Sequence, residues 1–146
     1  MRFRLSALAV IVLTLVLMPR AGFAQGTAQR AEITLKQNYP NPFNPETRAP
    51  FGIDVASCTP SGRLYRVSVR IFNLLMQPVA TPVLQGGTGS VAGGQPLENV
   101  SLPCGQYTWY WDGNYQGTKK EAASGVYLVV VTVDGKSGTM KIMNAK

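Results

Sequence analysis

Alternation of apolar and polar side chains is the strongest signal along this chain. Residues 64–73 (LYRVSVRIFN) put Tyr65, Val67, Val69 and Ile71 on one face and Arg66, Ser68 and Arg70 on the other. That is the two-residue period of a half-buried strand. Phe51, Ile53 and Val55 alternate with Gly52 and Asp54, and Tyr107, Trp109 and Trp111 alternate with Thr108 and Tyr110. Residues 33–35 and 139–143 add short runs of the same kind. Residues 79–84 follow Pro78 and contain Pro82, which lacks a ladder donor and so suits an edge strand. Residues 126–133 (VYLVVVTV) are apolar at every position but Thr132, which predicts a strand buried on both faces.

The punctuation agrees with strands. Asp112-Gly113 and Asp134-Gly135 are strong turn dipeptides, and residues 86–95 (GGTGSVAGGQ) form a glycine-rich loop. Residues 39–50 hold four prolines, which exclude a helix or a central strand there. The whole predicts an all-β fold, a small antiparallel immunoglobulin-like β-sandwich of about seven strands. Tyr107, Trp109 and Trp111 are expected in its core; facing outward instead, they would make a sugar-binding platform.

The first residues read differently. Arg2 and Arg4 precede an apolar run over residues 5–18, Pro19 ends it, and Gly22 and Ala24 precede Gln25 with the spacing of a secretory cleavage site. As a helix the run would rise only about 21 Å, short of a roughly 30 Å hydrocarbon core. The expected organisation is a signal peptide over 1–24 cut between Ala24 and Gln25, a flexible leader over 25–32, and one domain over 33–146. Cleavage leaves no stable membrane span. The signal segment then runs almost directly into the domain, with no cargo between.

Charge and chemistry narrow the function. The formal net charge is +7, but Arg2, Arg4 and Arg20 leave with the signal peptide, and the remaining cations are dispersed. A nucleic-acid partner needs a denser stripe. The chain has no His, 2 Cys and 7 acidic residues, so the commonest general base and metal ligand are missing. No phosphate loop, dinucleotide fingerprint or nucleophile elbow occurs, and Asp112-Gly113-Asn114 only begins a calcium loop, with Ala123 where its last ligand would stand. The expectation is a non-enzymatic protein with no catalytic residue, cofactor, metal or small-molecule substrate. In an oxidising compartment Cys58 and Cys104 are expected to bridge, closing a loop of about 46 residues worth roughly 4 kcal/mol.

One string is more specific than any of this. Asn38-Tyr39-Pro40-Asn41-Pro42-Phe43-Asn44-Pro45 is a stiff, donor-poor strap, with Tyr39 and Phe43 expected as apolar feet that pin it to the sandwich. Together with Ile71-Phe72-Asn73-Leu74-Leu75, Trp111-Asp112-Gly113, Ser124-Gly125-Val126-Tyr127 and the basic residues Lys141 and Lys146, it resembles the C-terminal sorting domain of the type IX secretion system. That family is similar in turn to the immunoglobulin-like domain of the flagellar hook-capping protein. The chain departs from the family at Met76, where a turn Gly is usual, and in its long loops around the cysteines.

The resemblance implies a secretion and sorting module, recognised as a folded unit by outer-membrane export machinery and processed by a sortase-like protease. It also implies a secreted or cell-surface location, reached through the periplasm. A second expectation is a stand-alone immunoglobulin-like structural or adhesive domain of the periplasm or cell surface.

Overall fold

The computed structural model describes residues 31–59, 62–87 and 92–146; the signal segment, the Ala24/Gln25 junction and residues 25–30 lie outside the described residues. Among the described residues nine strands are present: β1 (Ile33–Leu35), β2 (Thr47–Ile53), β3 (Leu64–Phe72), β4 (Pro78–Ala80), β5 (Val83–Leu84), β6 (Val100–Pro103), β7 (Gly105–Trp111), β8 (Gly125–Val133) and β9 (Lys136–Asn144). They form two antiparallel sheets, β1-β2-β7-β5 and β4-β3-β8-β9, with β6 added to the β3 edge. The order in each sheet is that of an immunoglobulin-like β-sandwich.

Alternation decides which side chains fill the space between the sheets. From one sheet come Ala49, Phe51, Ile53, Tyr107, Trp109 and Trp111; from the other come Val67, Val69, Ile71, Val129, Val131 and Ile142, all buried. Each Val, Ile or Phe among them removed from water contributes about 1.5–3 kcal/mol before the entropy of ordering is counted. The aromatic stripe of β7 therefore belongs to the core. Asp134 and Gly135 both take positive φ in the β8–β9 turn, as a tight hairpin of matching twist requires.

Several strand expectations change. Residues 79–84 split at Pro82 into β4 and β5, which sit at the edges of different sheets. Strand β6 lies in the stretch read as loop, and Leu97 and Leu102 from that stretch are fully buried. Strand β8 alternates between buried and half-buried positions, so it is not buried on both faces. Its outer row is flanked by Arg70 opposite Val130 and Lys141 opposite Leu128, whose stems cover it only in part. Strand β2 starts at Thr47 and runs through Pro50 in the sheet interior, against expectation. Pro50 turns its carbonyl to the Lys36 N–H (3.2 Å), so its missing donor falls on that side and costs β7 no ladder bond. The two residues before β1 also touch the sandwich: Ala31 is buried, and Glu32 N–H donates to the Asp54 carboxylate.

That carboxylate organises one end of the sandwich. Val55 leaves the strand there for a 3-10 turn over Val55–Ser57, because Asp54 takes φ 44° and stops β2. Tyr65 Oη donates to Asp54 Oδ2 at 2.6 Å, and the Arg63 guanidinium lies 4.5 Å from the centre of the Tyr65 ring. Burial works to raise the Asp54 carboxyl, but the Tyr65 hydroxyl, the Glu32 N–H, Arg63 and Lys136 outweigh it and hold it below its ordinary value. Tyr65 is pushed up, first by donating to Asp54 and then by burial. The expected disulfide is present at the same end. Cys58 and Cys104 are bonded with Cα atoms 5.5 Å apart, tying the segment after β2 to the corner where β6 crosses into β7.

Candidate functional site

The other end gathers the signature residues. Phe43 is fully buried, with its ring 5.4 Å from Trp111, and Trp111 in turn meets Tyr127 edge-on at 5.5 Å. Offset and edge-on ring pairs of this kind add about 0.5–1.5 kcal/mol beyond area burial. The Phe43 backbone completes the anchor: its N–H donates to Met143 O (2.8 Å), and its carbonyl accepts from Ala145 N–H (3.0 Å). The strap thereby adds a short parallel bridge, Phe43 to Asn144, to the end of β9.

Side chains close the strap on itself. Asn38 is buried, and its Nδ2 donates to Pro40 O (2.9 Å) and to Thr47 Oγ1 (3.0 Å), while Thr47 Oγ1 also donates to Pro40 O (3.1 Å). The peptide bonds before Pro40, Pro42 and Pro45 are cis. Gly113 has φ 79°, and a Cβ there would stand 2.0 Å from the Pro45 carbonyl oxygen, so only glycine lets the strap lie on the turn after β7. Asp112 shapes that turn by accepting from the Asn114 N–H and Nδ2.

The segment before β8 is fastened to the same place. Asn144 Nδ2 donates to the carbonyls of Ala122 (3.0 Å) and Ala123 (3.2 Å), and Tyr127 Oη donates to Ala123 O (2.7 Å). Ser124 Oγ accepts from Lys146 N–H, and Lys146 Nζ pairs with Glu121 at 2.8 Å. Lys141 stands apart from that network, on the outer side of β9. With Asn41, Pro42, Val126 and Met143 it lines an open groove of about 330 Å³.

One strap residue departs from expectation. Phe43 is a foot of the strap, but Tyr39 is not: its side chain is 72% exposed. Its backbone pairs in both directions with Arg48, which turns the ring to the outer face of the sheet instead of the core. The turn after β3 was legible only as part of the family signature. Asn73 Oδ1 accepts from the Leu75 and Gln77 N–H groups and rigidifies it, leaving Leu74, Leu75 and Met76 exposed, with Met76 at φ 59° where the resembled family places Gly. Tyr110 was read only as a spacer between tryptophans. It donates to Glu46 Oε2 at 2.6 Å, and that bond, with burial behind it, pushes the phenol up to about 12.

Among the described residues no three His, Cys, Asp or Glu side chains gather as a metal shell, and no helix is long and apolar enough to cross a membrane. Comparison of the chain with protein-family models, with curated proteins and with solved structures found no match.

Proposed function

We propose that this chain is a non-enzymatic secretion and sorting module, delivered to the cell surface or beyond by a type IX outer-membrane export machine. The observation that carries the reading is the meeting of the signature's separate pieces at one end of the sandwich. Phe43, Trp111 with Gly113, Tyr127 and Asn144 come from four parts of the chain and touch there through rings or backbone. A partner that recognises a folded unit needs such a surface, built only when all the pieces are in place. The groove beside it, with Lys141 at its rim, offers that partner an apolar contact and a charge. On this reading a sortase-like protease acts after export.

The test is a fusion of residues 25–146 behind a periplasmic reporter, in a host with the export machinery. The reporter is expected at the surface. Deleting residues 140–146 is expected to trap it in the periplasm, since the deletion removes most of β9 and the Phe43 latch. The pair Lys141→Ala and Lys146→Ala leaves the strands intact and isolates the charge contribution. A reporter that stays in the periplasm behind the intact domain rejects the reading, and a stand-alone structural or adhesive surface domain then takes its place.

A further inference from the structure

The outer face of the β1-β2-β7-β5 sheet carries a row of side chains that the core and the strap do not use. Tyr39 is bridged to Arg48, Arg48 is opposite Tyr110, and Tyr110 is opposite Val83. Directly paired residues project on the same face, about 4.8 Å apart from strand to strand. Tyr39 and Tyr110 are therefore two strands apart along a line across the sheet, their backbones separated by about 10 Å, with Arg48 between them. Two shallow depressions meet at Tyr110. One, of about 40 Å³, lies between Tyr39, Glu46 and Arg48; the other, of about 190 Å³, is edged by Asp112, Asn114 and Gln116.

The polar groups of this face are held in position before any ligand arrives. Asp112 is fixed by two bonds from Asn114, Gln116 Oε1 accepts from the Thr81 N–H at 2.5 Å, and Glu46 accepts from Tyr110. Tyr39 sits on a backbone bonded twice to Arg48. Ring faces next to preoriented carboxylates and amides match one ligand chemistry well. Pyranose rings offer flat C–H faces to aromatics and vicinal hydroxyls to planar polar groups.

We propose that this row binds an extended, neutral glycan with flat pyranose faces, of the β-1,4-linked glucan or xylan kind. Charge gives an anionic polymer no advantage, because among the residues lining the two depressions Glu46 and Asp112 accompany Arg48. A peptide added as a strand would need backbone donors, and on this face the backbone groups point along the sheet, not out of it. The row shares Tyr39 and Asp112 with the signature but no residue with the groove at Lys141, and its test reads sugar binding by the folded protein, not export.

The experiment titrates the folded protein with cellohexaose and with xylohexaose by calorimetry. At least one is expected to bind in the millimolar range or tighter. Tyr39→Ala, which removes an exposed ring and leaves the unfolding midpoint unchanged, is expected to weaken that binding about fivefold or more. Tyr39→Phe keeps the ring and is expected to stay within about twofold of the parent. No heat from either sugar, or equal affinity in Tyr39→Ala, overturns the proposal. So does binding of an unstructured peptide at this face in place of the sugars.

Discussion

The two ends of the sandwich are closed in different ways. At the strap end, segments far apart in the chain meet through packed rings and backbone hydrogen bonds, and the fit leaves no room for a Cβ at Gly113. At the other end a few point contacts do the work: one disulfide, one buried carboxylate and its tyrosine. Arg63 and Arg66 N–H reach Asp134 around them, and that ion pair is largely exposed at 3.5 Å, so it adds little. Closure by shape prescribes many residue types at once and so leaves a long signature in the sequence. Closure by point contacts prescribes few.

Closure by shape makes truncation of the strap's anchor the most damaging change. Phe43→Ala is expected to cost about 4 kcal/mol, read as a drop in the urea midpoint. A loss below about 1 kcal/mol would mean that the strap is an accessory and not part of the core. At the opposite end, Cys58→Ser with Cys104→Ser is expected to cost about 3 kcal/mol, with the strap-end ring contacts and their near-ultraviolet signal retained. Loss of that signal on reduction would show that the two ends are not independent.

Tyr65→Phe is expected to cost about 2 kcal/mol at neutral pH, because it strips a charged, buried carboxylate of a donor. The pH dependence sharpens the point. Asp54 is held low in the fold, so its contribution is present above the ordinary carboxylate value and is lost as pH falls through the lowered one. Tyr65 is held high, so its contribution is present below the ordinary phenol value and is lost as pH rises through the raised one. Tyr65→Phe should flatten the acid arm and remove the Tyr65 share of the alkaline arm in a series of urea midpoints. An unchanged profile would detach Asp54 from the account of this end. The smallest effect is a gain. Met76→Gly relieves a left-handed conformation in an exposed turn and should raise stability by about 1 kcal/mol in the same assay.

The contrast also explains what the sequence could tell. Strand β3 and the core side of β7 were plain, because Tyr65, Val67, Val69 and Ile71 and the 107/109/111 stripe alternate without interruption. Strand β6 was hidden, since four residues ending in Pro103 carry almost no period, and its burial depends on the β3 edge it meets. Tyr39 misled for a similar reason. An aromatic beside prolines reads as a foot, and only the pairing with Arg48 decides that it points outward. Tyr110 is concealed by its neighbours: the tryptophans on either side mark one face of β7, while on the other Tyr110 stands opposite Arg48 and Val83 and donates to Glu46. Asp54 gives no local sign that it ends a strand, because its partners Glu32 and Tyr65 lie in other segments.

The bridge between Phe43 and Asn144 bears on the order of events when the protein is made. Phe43 leaves the ribosome well ahead of β9, and its resting place does not exist until residues 143–145, about a hundred residues further on, have followed. Until then the Phe43 backbone has no partner at Met143 or Ala145, and a loosely held phenylalanine on a donor-poor segment is the kind of feature that holding chaperones grip. The latch thus converts the arrival of β9 into a change of surface: a molecule without that strand shows a loose aromatic strap, and one with it shows a sealed end. Any partner that reads this end is also inspecting whether the last strand of the sandwich has been laid down.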